Sequence, residues 1–301
     1  MDWILLIVPG AIWGASFLFI AEGLEVMGPN GVTFTRILVG FLTLALFSGS
    51  RRPVRRDDRL GTALVGVLWM AFPLSMFPYA ERHVSSALTG MLNGAVPLFI
   101  AIVAAAMARR WPSRGIALGL AVGLIGGVLM GVPTLGQGRN TMVGVLLILA
   151  ALVSYGFALN IARPVQMRNG ALPVIWRAQA VALVLTAPLG LPELLRARWA
   201  TGPLLSLLAL GVLGTGVAYV LTVMAAGRVG ATKASATAFL IPPVALLLGV
   251  LVRGEHVATL SVLGGVVCLV GAWLMRRAQL EHAVRAPAPV MPAPASVSGP
   301  S

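Results

Sequence analysis

The chain has little charge and very little negative charge. Only 10% of its 301 residues are charged, against roughly 25% in an average soluble domain. The nine acids, Asp2, Glu22, Glu25, Asp57, Asp58, Glu81, Glu193, Glu255 and Glu281, fall in links or at the ends of apolar runs. A carboxylate at mid-membrane depth, able to exchange a proton for a cationic cargo, is missing from this pattern. The single cysteine, Cys268, excludes an internal disulfide. The three histidines, His83, His256 and His282, are scattered, so no H-E-x-x-H arrangement can hold a metal. The run Gly211-Val-Leu-Gly-Thr-Gly lies inside an apolar segment and lacks the strand–turn–helix setting of a dinucleotide site. These absences argue against an enzyme, and nothing here calls for a cofactor. Long polar loops are also missing, which weighs against a non-transporting membrane receptor or scaffold, kept as the alternative from another class.

What the chain has is apolar surface. Its residues are 58% apolar and its mean hydropathy is +0.93, more than polar groups could cover in water, so the chain belongs in a lipid bilayer. The net charge of +13 is not a nucleic-acid footprint, because the arginines sit in short links between apolar runs. The first run is not read as a signal peptide, since it opens with Asp2 and no basic residue.

Runs of about 18–22 apolar residues cross a hydrocarbon core as helix. The sequence predicts spans at about 3–20, 31–48, 61–79, 86–107, 115–132, 142–161, 171–191, 203–224, 232–252 and 258–275. With the amino terminus inside, fifteen arginine or lysine residues lie on the inner side and five on the outer side: Arg82, Arg139, Arg196, Arg198 and Arg253. The imbalance places both termini in the cytoplasm. Past about Arg276 the chain is rich in proline and alanine with no apolar period, and a disordered cytoplasmic tail is expected over 278–301.

The pattern occurs twice. Residues 118–130 and 263–275 match at seven of thirteen positions with an offset of 145, and the same offset pairs Pro97 with Pro242 and Ala80 with Ala225. A slightly shorter offset pairs Trp13-Gly14 with Tyr155-Gly156 and Arg36 with Arg177. Five spans per copy is an odd number, so the second copy must cross in the opposite sense. The fold class is therefore an all-α polytopic membrane protein. Ten transmembrane helices form two inverted five-helix repeats, 1–137 and 138–277, an architecture of secondary transporters.

The Trp13-Gly14-x-Ser16-Phe17 element on the first span, Arg36 early in the second, Pro97 midway through the fourth and Gly254-Glu255 before the tenth resemble the EamA family of the drug/metabolite transporter superfamily. One departure is Arg109-Arg110-Trp111, where the family places Gly-Glu in the first half. The resemblance implies ten helices around a central cavity, lined by the first, third, fourth, sixth, eighth and ninth spans. It implies a permease for a small metabolite in the plasma (inner) membrane.

Candidate cavity residues follow from depth and polarity. Arg36 and Arg177 lie within spans and admit two readings: cations for an anionic cargo, or side chains snorkelling to headgroups. Ser85, Thr89 and Asn93 share one face of the fourth span, and Thr232, Lys233, Ser235 and Thr237 open the ninth. Trp13, Ser16, Trp69, Tyr79, Tyr155 and Tyr219 supply aromatic and hydroxyl groups suited to a metabolite. Gly119, Gly123 and Gly127, matched by Gly264, Cys268 and Ala272, form small-residue stripes for close helix packing, within a monomer or across a homodimer. Without acids at depth, the cargo is expected to be neutral or zwitterionic, such as an amino acid, with export favoured. Anions and sugar derivatives are the alternative.

Overall fold

A computed structural model describes residues 2–134, 139–229 and 235–285, which form helices and short links with no strand among them. Helix α1 spans Asp2–Gly23. Helix α2, Pro29–Ala45, starts on a proline whose fixed φ suits a first helical turn. Helix α3, Arg59–Val65, passes through a π-helical stretch, Gly66–Ala71, into α4, Phe72–Glu81. Pro73 explains part of this irregularity. It has no N–H to give back to the preceding turn, and the wider π turn relieves the clash. Helices α5, Ser86–Asn93, and α6, Val96–Ala108, meet at a bend of 40° just before Pro97.

Helix α7 is Arg114–Gly131, α8 is Arg139–Asn169 and α9 is Ala171–Leu195. Helix α10, Thr201–Ala209, runs through a second π-helical stretch, Leu210–Val217, into α11, Ala218–Val229. A 3-10 turn, Ser235–Leu240, leads into α12, Ile241–Arg253, and α13 is Thr259–Arg285.

Among the described residues, seven helices are long and apolar enough to cross a membrane, and eight if the bent pair α5–α6 counts as one span. The chain is thus a multi-pass membrane protein. The expected count of ten is not reached on length alone. Helix α2 has 17 residues, about 26 Å at 1.5 Å per residue, short of a core of about 30 Å. Thr237–Arg253 is also short. The tenth expected span is too short in the other direction: α13 stays helical to Arg285, into the segment expected to be a disordered tail. Thr232 and Lys233 lie outside the described residues, as does the tail after 285.

The helices pack in pairs that repeat when the two halves are exchanged. Helix α7 packs on α13, α2 on α9, and α5 on α12. Helix α2 lies on the second π stretch as α9 lies on the first; α1 packs on α11 and α12 as α8 packs on α4 and α6. Glycines set the closest approaches. A Cβ on Gly126 would run into Cys268 and the Gly264 carbonyl, and one on Gly271 would run into Gly123 and the Gly119 carbonyl. Gly127, expected in this stripe, faces open space, and Gly126 takes its place.

Acids fasten helix ends across the halves. Glu193 accepts from Asn30 Nδ2 at 2.9 Å and from the Gly31 N–H at 2.7 Å, at the start of α2. Glu255 accepts from the Ser86 N–H and Oγ and from the Ala87 N–H, at the start of α5. Negative charge at a helix N-terminus is favourable. Arg253 pairs with Glu22 at the end of α1 and with Glu25 just past it, and Asp58 pairs with Arg168. At the residue before Glu255, Gly254 turns with φ 63°; its repeat partner Arg109 adopts φ 49°, a left-handed conformation held by a residue with a Cβ.

Candidate functional site: a central aromatic cavity

A cavity of about 460 Å³ lies between the halves, within the range of small-molecule sites. Two groups of rings form its walls. Tyr219 stands edge-on to Trp13 at 5.6 Å and to Trp69 at 5.7 Å. Phe77 meets Phe17 at 5.6 Å and Tyr155 at 5.9 Å. These helices turn their Trp and Tyr rings inward because the alternative, lipid, offers no hydrogen bond to the indole or phenol.

The π-helical stretches place polar groups beside the rings. A π turn breaks the regular ladder and leaves carbonyls for side chains to satisfy. Trp13 Nε1 donates to the Gly214 carbonyl at 3.0 Å, and Ser154 Oγ donates to the Leu68 carbonyl at 2.7 Å. Gln179 Nε2 donates to the Thr215 carbonyl at 2.7 Å. Thr215 Oγ1 donates to the Leu210 carbonyl at 3.1 Å and accepts from Arg36 Nε at 3.3 Å. Arg36 is buried and lines the cavity.

Among the described residues, the lining contains Arg36 and Arg276 and no carboxylate. Arg276 lies 5.9 Å from the Phe239 ring, a cation–π distance. At the α5–α6 break, Asn93 Oδ1 is buried and receives no hydrogen bond among the described residues, and Thr237 Oγ1 is likewise unpartnered. Both residues line the cavity. The site therefore offers a cation at one place and a vacant acceptor at another, within an apolar aromatic wall.

Of the residues singled out from sequence, Trp13, Ser16, Arg36, Trp69, Asn93, Tyr155, Tyr219 and Thr237 line this cavity. Three lie elsewhere. Thr89 is buried in the α5 contact and donates to the Ser85 carbonyl at 2.9 Å. Tyr79, near the end of α4, is absent from the lining. Arg177 donates to the Ser50 carbonyl at 3.3 Å and stacks on Trp176, tying α9 to the link after α2. Arg36 and Arg177, matched in sequence, thus do different work.

Sequence reasoning missed Phe17, Phe77 and Phe239, whose apolar rings look like any core residue. It also missed Gln279 and the inward role of Arg276, because the tenth span was ended too early. Ala272 and Met275 join them, so the last helix, outside the set of lining spans that the resemblance implies, contributes to the wall. Gln179 and Thr215 left a readable signal: a lone amide and a lone hydroxyl inside apolar runs.

Comparison with known proteins supplies independent information. The EamA-like transporter family matches residues 2–132 and 142–277. A protein of Streptantibioticus cattleyicolor named "Probable terminal-alkyne amino-acid exporter" is 28% identical, over 94% of this chain and 96% of its own. "Uncharacterized transporter YdfC" of Bacillus subtilis is 28% identical over 86% of each chain. "Uncharacterized inner membrane transporter YedA" of Escherichia coli is 29% identical over 83% of this chain and 82% of its own. A solved crystal structure superposes with a TM-score of 0.62 at 17% identity, covering 95% of this chain and 99% of that one, a likeness of fold.

Proposed function

The chain belongs to the EamA-like transporter family, and from that premise we propose that it is a secondary transporter for a small amino acid or closely related zwitterion. It works in the plasma (inner) membrane by alternating access, with export as the favoured direction. The observation that carries this reading is Arg36, a buried cation in an aromatic cavity whose lining has no carboxylate among the described residues. A cargo carboxylate supplies the missing partner, and charge-assisted hydrogen bonds are the strong ones. The vacant Asn93 Oδ1 suits the cargo's ammonium group. Aromatic walls suit an apolar side chain. The amino-acid exporter named among the relatives supports the same cargo class. A simple anion without a hydrogen-bond donor would use Arg36 too, but leaves no use for the acceptor at Asn93. A sugar derivative could fill it with a hydroxyl, and the competition experiment below separates that cargo from an amino acid.

Ten crossings in two inverted halves complete the reading. The symmetric pairing of helices supports it, and so does the double family match. In that arrangement both termini are cytoplasmic, and Arg253, Glu22 and Glu25 lie on the outer side. The halves rock about the cavity to expose it to one side and then the other. Purified protein in liposomes preloaded with L-propargylglycine, a terminal-alkyne amino acid, tests the cargo class. Counterflow of the labelled compound, suppressed by excess unlabelled neutral amino acids and not by sugar phosphates, is the expected result. Reporter fusions after Arg52 and after Arg285 test the orientation, and an outward reading at either site ends it.

A further inference from the structure

We propose that Glu81 is a proton-binding site, reached through a second pocket at the end of α4 and separate from the cargo cavity. The site itself stands on the geometry alone; its effect on transport rests on the transporter reading above.

Glu81 differs from the other acids at helix ends. Glu193, Glu255, Glu22 and Asp58 each hold hydrogen-bond donors. Both carboxyl oxygens of Glu81 are buried and receive no hydrogen bond among the described residues. Beside it opens a pocket of about 350 Å³ walled by Glu81, His83, Ser85, Thr141, His256 and Ser261. This pocket joins the end of α4 to the starts of α5, α8 and α13 and, among the described residues, shares no lining residue with the central cavity.

The charged groups facing Glu81 are Glu255, Arg253 and Arg36, with Arg82, His83 and His256 on the pocket wall. Glu255 is committed: three donors from the start of α5 hold it, and Arg253 Nε lies 3.9 Å away. Its charge opposes a second one on Glu81. No cation forms an ion pair with Glu81 among the described residues; Arg253 and Arg36 act on it only from beyond ion-pair distance, and neither replaces the water that a charged carboxyl loses there. A proton from the surrounding water, entering through the pocket, converts the carboxylate to the neutral acid and removes that cost. When water reaches the carboxyl in another conformation, the proton leaves by the same route. The enclosed conformation is therefore the one that acid favours, and a transporter that must pass through it slows as pH rises.

Infrared difference spectroscopy of the cargo-free protein in lipid nanodiscs, between about pH 5 and about pH 9, tests the site. A protonated-carboxyl band that disappears at alkaline pH is expected in the wild type. It should be absent in Glu81→Gln, displaced in Glu81→Asp and retained in Glu25→Gln. Identical difference spectra for the wild type and Glu81→Gln overturn the proposal. Counterflow of L-propargylglycine tests the consequence. The wild-type rate should fall about tenfold per pH unit above its midpoint, as a single titrating group requires, while Glu81→Gln keeps the low-pH rate throughout. A wild-type pH profile in Glu81→Gln also overturns it. Failure of the wild type itself to move the probe at any pH counts against the transport reading, and the spectra still decide the proton site.

Discussion

Arg36 Nε and Thr215 Oγ1 lie 3.3 Å apart, 179 residues distant in the chain, and join α2 of the first half to the π-helical stretch of the second. The hydroxyl is held by its own bond to Leu210, so the guanidinium is aimed into the cavity before any cargo arrives. Removing the cation should cost the cargo its carboxylate partner. Arg36→Ala is expected to weaken cargo affinity on the order of 10- to 100-fold, the equivalent of about 1.5–3 kcal/mol for a charged hydrogen bond. Thr215→Val should keep the charge and lose only part of the affinity. Cargo-induced tryptophan fluorescence, read through Trp13 and Trp69, measures both.

Asn93→Ala and Tyr155→Ala should lower flux at matched membrane expression, the first by removing the vacant acceptor and the second by opening the ring wall. Leu146→Ala is the control, since Leu146 is 56% exposed on the α8 surface. Flux equal to wild type in both cavity variants would put the binding site elsewhere.

Neighbouring glycines on α7 should differ in their response to enlargement. Gly126→Leu drives a side chain into the backbone of α13, an overpacking cost of about 1–3 kcal/mol or more. Gly127→Leu adds a side chain where no atom lies within 4 Å. Thermal unfolding in detergent should drop for the first and stay unchanged for the second. Equal losses would mean that the stripe is not the contact.

Arg109→Gly should raise thermal stability slightly or leave it unchanged. The left-handed φ of 49° costs a residue with a Cβ about 1–2 kcal/mol. Glycine returns about 0.5–1 kcal/mol of that through its freer unfolded chain. A clear fall in midpoint would show that the arginine side chain contributes more than its backbone conformation costs.

The membrane class and the repeat were legible because both rest on patterns that repeat over many residues. Eight of the eleven proposed cavity residues also face the cavity, since polar and aromatic groups deep in a lipid-embedded helix have few other places to point. The misses have a common cause. Depth was read as if every helix were straight and regular. The π-helical stretches, the α5–α6 bend and the long α13 change which residues share a face, and they bear on Thr89 and Arg276. On the regular α7 a strict four-residue repeat drifts around the helix, so the contact passes from Gly123 to Gly126 and not to Gly127. Arg177 shows a second limit. Its repeat partner Arg36 has the same residue type at a matched depth, but Ser50 offers Arg177 a carbonyl and Thr215 offers Arg36 a hydroxyl.

The two π-helical stretches bear on the shape of the cavity. In a regular α-helix, residues eight apart fall about 80° out of line; the wider turn brings them closer to one face. Trp69 and Phe77 do this in the first half, Gly214 and Thr222 at the matched positions in the second, and all four line the cavity. The backbone frame is therefore balanced while its contents are lopsided: two large rings look across at a hydrogen atom and a small hydroxyl. If the cavity holds a cargo as proposed, the room beside Gly214 and Thr222 suits its bulkier side better than the space against Trp69 and Phe77.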